Sequence, residues 1–282
     1  MSSFLITLLC FNSVSSINSN LNTINLNENN LVNIRGPINS DSTNKFFQDI
    51  MKLDKEQEIN IFINSPGGSV MEGLKIVNYI EMLNQNVKIN CIADFAASMA
   101  FIITQSCKNR YALKSSLLMQ HQMSLMNSGN LFNLNNYMEM INDMNVDLDK
   151  NQAERIDMTY EEFKERITND WWLYGYKAKE MNVVDDIVNV RCSDRLISGN
   201  EKIKVSTFFG DVEYTFNLCP LVRHPLKVIF NREIDSKEYS KECSKESIEE
   251  YFTKYNNNFD SESYFNYYYY QSVLLSNYSF LH

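Results

Sequence analysis

Histidine is scarce in this chain. Only His121, His224 and His282 occur in 282 residues, so chemistry that needs an imidazole has few places to happen. Positive charge is also short, with 26 Lys and Arg against 35 Asp and Glu and a formal net charge of −9. Binding to nucleic acid or to an anionic membrane surface needs clustered cations, so neither is expected as a partner. The six cysteines, at positions 10, 91, 107, 192, 219 and 243, form no CxxC pair and no metal-ligand spacing. Three of them fall in apolar stretches, and all are read as reduced thiols. No segment reaches transmembrane length, so no membrane insertion is expected. There is no GxGxxG, and no Lys follows the one Gly-rich turn as a Walker loop requires, so no nucleotide or other cofactor is expected. No internal repeat is evident.

Hydrophobic residues make up 44% of the chain, enough for one sizeable core plus an appendage or for two small domains. Residues 1–29 read as a leader. Its apolar stretch, residues 4–11, followed by small residues, resembles a weak secretory signal without the basic n-region, and a buried first strand is an equal reading. The compartment therefore stays open between a secretory route, an organelle lumen and the cytoplasm. Residues 21–30 are Asn-rich and read as a flexible lead-in.

From there, strand and helix patterns alternate. NLVNIRGPI reads as a strand. DSTNKFFQDIMKLD reads as an amphipathic helix with Phe46, Phe47, Ile50 and Met51 on one side. EINIFIN is a β-rich run that ends at Ser65-Pro66-Gly67-Gly68, after which Val70, Leu74, Ile76, Val77, Ile80 and Leu83 recur at helical spacing. VKINCIADF is a strand, AASMAFIITQSC (residues 96–107) a helix buried on every side, and YALKSSLLMQHQM a strand again. This order predicts an α/β domain with crossover connections. A long helix over residues 131–156 carries Leu134, Met138, Ile141 and Leu148, and a shorter one opens with the capping box Thr159-x-x-Glu162. NVVDDIV closes the domain, which spans residues 30–192. The extension, 193–282, reads as a hairpin around Gly210, a solvated mixed-charge helix and an aromatic tail that packs or self-associates.

Two glycines in a row after a strand aim backbone N–H groups at something negative, either a phosphate or a developing oxyanion. The missing Lys argues against phosphate. An oxyanion site predicts a nucleophile and a base in the same unit. Ser98, at the start of the small-residue helix, can attack. His121, at the end of the next strand, can take its proton, and Asp170, before two tryptophans that can bury it against the ring, can orient the imidazole. Singly, each has a plainer role as a packing serine, a core histidine or a helix cap. Together with the Gly-rich turn they make a Ser-His-Asp candidate.

INSPGGSV with its helix, AASMAF, MQHQ and NDWWLYGYKAKEMNVVDDIV occur in the order and context of the Clp protease proteolytic subunit, which the chain resembles over residues 30–190. The resemblance implies a crotonase-like α/β fold of stacked ββα units with a long handle helix, and serine endopeptidase activity on peptides and proteins. It makes Ser98 the nucleophile, His121 the base and Asp170 its orienter, with the backbone amides of Gly68 and Met99 as the oxyanion hole. It also implies homo- or hetero-oligomeric rings of seven that stack to enclose the sites, fed by an ATP-driven unfoldase of the AAA+ type.

The chain departs from that pattern in places. Asp94-Phe95-Ala96 stands where the family has Gly-x-Ala, Phe101 stands where it has a small residue, and His121-Gln122-Met123 replaces His-Gln-Pro. A gapless register from the glycines puts Ala97 at the nucleophile position, whereas the AASM match puts Ser98 there. One residue turns a helix by about 100°, so the two registers differ in whether a hydroxyl enters the site. A catalytically silent ring subunit or scaffold is the alternative of a different class. Signal-peptide-peptidase-like and crotonase-like chemistries are further readings, and His121 with Asp170 argues against both, although a shared fold does not decide function.

Overall fold

A computed structural model of the chain describes residues 21–54, 58–207, 210–223 and 225–231. The apolar leader stretch, the mixed-charge helix, the aromatic tail, His224 and His282 lie outside the described residues. The Asn-rich lead-in expected to be flexible is instead a strand, β1 (Thr23–Leu26), paired in parallel with Asn189–Cys192. Leu26 anchors it at 1% exposure.

Strand β2 (Leu31–Arg35) leads to α1 (Ser40–Lys52). The helix starts because Asn39 accepts a hydrogen bond from the Ser42 amide while the Ser42 hydroxyl accepts one from the Asn39 amide. Phe46 and Ile50 are buried, but Met51, expected beside them, is 59% exposed. Five residues beyond Phe46 is about 140° around the helix, off the buried stripe. Strand β3 (Ile59–Ser65) runs into the Pro66-Gly67-Gly68 turn and α2 (Val70–Leu83), whose N-cap Ser69 accepts from the Glu72 amide at 3.3 Å.

Next come β4 (Ile89–Ala97), α3 (Met99–Ser106), β5 (Asn109–Gln120), α4 (Leu131–Arg155) and α5 (Tyr160–Arg166), the last opening on the Thr159/Glu162 capping box. Ala96 and Ala97, expected in the buried helix, end β4, where they pair with Leu118 and Met119. Strand β6 (Trp171–Tyr174), α6 (Tyr176–Glu180), β7 (Asp186–Ile187) and β8 (Asn189–Cys192) complete the αβ unit. Helix α7 (Asp194–Ser198) then precedes an antiparallel meander, β9 (Asn200–Thr207), β10 (Gly210–Asn217) and β11 (Lys227–Asn231), one strand more than the expected hairpin.

The main sheet has the order β2-β3-β4-β5-β6, parallel from β2 to β5 and antiparallel at β6, with β7 also on β5. Alternation sends Ile59, Ile61, Ile63, Ile89, Cys91 and Ala93 into the core shared with the helices. Phe62 and Ile92 point to the opposite face, where Leu26, Val188, Leu196 and Cys219 cover them. Part of the C-terminal extension is therefore a second layer on this sheet.

Two further expectations are corrected. The long helix occurs as predicted, but of its expected apolar residues only Ile141 is buried, and Met138 is 41% exposed. Periodicity tells which side of a helix is apolar, not whether anything covers it. Among the cysteines, Cys91 bonds Cys107 and Cys192 bonds Cys219, so these four are not thiols. The chain runs along β4, turns and returns through α3, bringing the Cα atoms of the first pair within 5.7 Å. Tertiary return, not local spacing, makes the pair, and a disulfide is apolar enough for the surroundings that had suggested thiols. No described helix is long and apolar enough to cross a membrane.

Arg110, at the start of β5, ties the helical side together. Its guanidinium donates to Asp185, to Gln105 Oε1 at 2.8 Å and to the Arg155 carbonyl at 2.9 Å. Arg155 in turn donates to the carbonyls of Gln105, Cys107 and Lys108, satisfying the open end of α3. Burial raises the Asp185 carboxyl, but the bonds from Arg110 outweigh it and hold it below its ordinary value. Arg110→Gln is therefore expected to cost about 2 kcal/mol, less than a fully buried broken pair because Asp185 keeps 39% of its side chain exposed. The pair's contribution is complete above the unfolded-state pKa of about 3.9 and is lost as pH falls through the lower folded value. Melting temperature against pH should show the wild type losing its advantage over Arg110→Gln in that acid window, and parallel curves would contradict the assignment.

Candidate active site

The turn between β4 and α3 holds the first candidate. Ser98 is the N-cap of α3, with φ 56° and ψ −122°, a backbone conformation that L-residues rarely adopt. Such an outlier costs roughly 1–3 kcal/mol and persists only where the surroundings over-determine it. Here the Ser98 amide donates to the Met119 carbonyl at 2.8 Å, and its own carbonyl accepts from Phe101 at 2.9 Å. Behind it, Met99, Ala100 and Phe101 are at most 1% exposed, so the helix cannot shift to relax the turn.

The Gly-rich turn presses on the same point. A Cβ on Gly67 would lie 2.6 Å from the Ala97 carbonyl oxygen, 2.7 Å from Ser98 Cβ and 2.9 Å from the Met99 nitrogen. No side chain fits there, and φ of +93° disfavours one as well. Ser65, buried at the end of β3, accepts from the Gly67 amide at 3.1 Å and shapes the turn. Ile38 clamps the other side, donating to the Gly67 carbonyl and accepting from the Ser69 amide, both at 2.8 Å. The Gly68 amide makes no hydrogen bond among the described residues. Met99 N–H, at the first position of α3, has no intrahelical acceptor. Neither predicted oxyanion donor is thus spent on a hydrogen bond among the described residues.

His121 follows directly on β5 and places Nε2 2.9 Å from Ser98 Oγ. The structure brings the Ser98 hydroxyl, not the Ala97 methyl, to the imidazole; Ala97 is buried in β4. Asp170 is the looser member. Its carboxylate lies 3.9 Å from His121 Nδ1, longer than a direct hydrogen bond, and its side chain is 59% exposed. The expectation that the tryptophans bury it is corrected: Trp171 packs edge-on against Phe163 and tilted against Phe101, and Trp172 is 39% exposed. Trp171 holds the start of β6, while Asp170 sits just before it in solvent.

Sequence reasoning missed the supports around these groups. Gln120 accepts from the His121 amide at 3.2 Å and donates to Gln152 of α4 at 2.5 Å, fixing the end of β5. Polar residues at a strand end next to a candidate base were the available signal, but glutamine also fits a solvated loop. Among the described residues, no group of three or more His, Cys, Asp or Glu can hold a metal ion. Chemically, the arrangement offers a hydroxyl bonded to an imidazole, a carboxylate near the far ring nitrogen and, in the Gly-rich turn and at the start of α3, two amides with no hydrogen bond among the described residues.

Comparison with protein-family models matches residues 16–191, more than half of the chain, to the family described as Clp protease. All the site residues above fall within the match.

Gly67→Ala is expected to lower the free energy of unfolding by roughly 1–3 kcal/mol, because both the contact and the dihedral oppose a side chain. Gly129→Ala, where a Cβ meets nothing closer than Leu134 at 3.9 Å, should change it by less than about 0.5 kcal/mol. Chemical denaturation of both variants tests this, and equal losses would contradict the tight fit of Gly67.

Proposed function

Because the chain belongs to the Clp protease family, we propose that it is a serine endopeptidase that hydrolyses peptide bonds with Ser98, His121 and Asp170. The observation that carries this reading is the 2.9 Å hydrogen bond between Ser98 Oγ and His121 Nε2 at a strained turn. In the proposed reaction, Nε2 takes the hydroxyl proton as Oγ bonds the scissile carbonyl carbon. The carbonyl oxygen becomes an oxyanion, held by the amide of Gly68 and by that of Met99 at the positive end of α3. His121 then passes its proton to the leaving amine as the C–N bond breaks. A water, deprotonated by the same imidazole, hydrolyses the acyl-serine. Asp170 holds the Nδ1–H tautomer, and its 3.9 Å separation shortens as substrate excludes water and charge develops on the ring.

The finer architecture in this proposal is a crotonase-like stack of ββα units with α4 as the handle helix. Leu131, Phe132, Tyr137, Met138 and Met140 are exposed on α4, which supports its burial against other subunits. Rings, seven-membered in the proposal and made of one or several kinds of subunit, would then enclose the sites. An ATP-driven unfoldase would deliver protein substrates, since the chain has no nucleotide loop of its own. The exposure of Asp170 and its distance from His121 favour a second reading, a catalytically silent ring subunit.

Hydrolysis of a fluorogenic peptide by the assembled protein separates the two readings. Ser98→Ala should lower turnover by at least about 1,000-fold while leaving the oligomeric mass unchanged. Wild-type turnover no higher than that of Ser98→Ala would establish the silent subunit.

A further inference from the structure

Asp94 is a carboxylate in an unfavourable place. It lies four residues before Ser98, with 1% of its side chain exposed, where the pairing of β4 with β5 slips between Ala93 and Phe95. On β5 the same slip passes over residues 113–116: Ala93 pairs with Ala112, and Phe95 with Leu117. Ser116 fills the gap by accepting from the Leu113 amide at 2.7 Å and donating to the Ala93 carbonyl at 2.6 Å. Beyond the slip the pairing is regular through Ala97 and Met119, and it ends at the strained nucleophile turn. The bulge is therefore joined to Ser98 by a short, regularly paired segment.

A buried carboxylate is costly unless a charge answers it. The answer comes from the C-terminal extension. Arg223 Nη2 donates to Asp94 Oδ1 from 129 residues along the chain, and it also reaches the Ser115 hydroxyl at 3.5 Å on the looped-out part of β5. Asn64 Nδ2 is the other neighbour, at 3.5 Å. Burial pushes the Asp94 carboxyl up and the Arg223 guanidinium pulls it down without cancelling the shift, so the guanidinium favours the charged form that burial opposes. Arg223 is not on a free arm. It follows Cys219, whose disulfide to Cys192, whose amide donating to Asn217 Oδ1 and whose carbonyl accepting from the Val222 amide pin the preceding turn to the second layer.

We infer that Arg223 is a positioning residue: by pairing with Asp94 at the β4/β5 bulge, it holds the strand that presents Ser98. The extension thereby becomes part of the site's scaffold rather than an appendage. The inference rests on the reading of Ser98 as nucleophile, but its mechanical part can be measured without catalysis.

The test uses the full-length assembled protein and three forms: wild type, Arg223→Gln, and Arg223→Gln combined with Asp94→Asn, which leaves no unpaired charge at the bulge. Hydrogen–deuterium exchange of residues 94–101 reports the strand, and the rate of labelling by a fluorophosphonate reports Ser98. Arg223→Gln should raise exchange in that segment and slow labelling, each by roughly tenfold or more, and the double variant should return both to within about threefold of wild type. Unchanged exchange in Arg223→Gln, or losses that persist in the double variant, would overturn the inference. Should Arg223→Gln alone not fold, recovery of both readouts in the double variant supports the pair and their absence overturns it. A wild type that never labels, with exchange behaving as expected, would refute the peptidase reading and leave the brace standing.

Discussion

The structure turns on the backbone of one residue. Ser98 is held at φ 56°, a conformation that would relax if its surroundings allowed it. The amide is fixed by β5 through Met119, the space behind it is closed by Gly67, and the helix that follows is buried in the core. The same three supports give the site its composition. The β5 contact sets the strand whose next residues bring His121 to the hydroxyl. The Gly67 contact sets the turn that carries the Gly68 amide, and the buried helix fixes the amide of Met99. The Ser98 hydroxyl, the His121 imidazole and the two amides proposed as oxyanion donors thus all depend on one strained turn.

Around that turn, buried charge is answered by groups from distant parts of the chain. Arg110 closes the helical side by joining α3, the end of α4 and Asp185, and Arg223 closes the other face at Asp94. The two disulfides follow the same division: one brackets the β4–α3 unit, the other ties the second layer to β8. Removing Arg223 would leave the buried Asp94 carboxylate unanswered, which is how a substitution far from Ser98 in sequence reaches the site.

Much of the sheet-and-helix order was legible because Pro66-Gly67-Gly68 stops a β run sharply and the apolar spacing changes from two to helical periodicity after it. Ser98 and His121 were legible as a pair because one helix and one strand separate them and histidine is rare. The boundary at Ala96-Ala97 was not, since alanine runs continue a helix or end a strand equally well, and only pairing with Leu118 and Met119 decides. The Cys91–Cys107 bond and the Asp94–Arg223 pair depend on where the chain returns in space, which local patterns do not encode. The tryptophans were expected to bury Asp170, but the Trp171 ring packs against Phe101 and Phe163 instead. The apolar side of α4 was visible, whereas its exposure in a single chain depends on what else is present.

The central claim is that Ser98 is an activated nucleophile, and covalent labelling tests it most directly. The assembled protein would be treated with a fluorophosphonate, digested and mapped by mass spectrometry. The account predicts one phosphonylated peptide with the adduct on Ser98, lost when His121 is replaced by Ala. An adduct on another serine, or none on a correctly assembled protein, would contradict it.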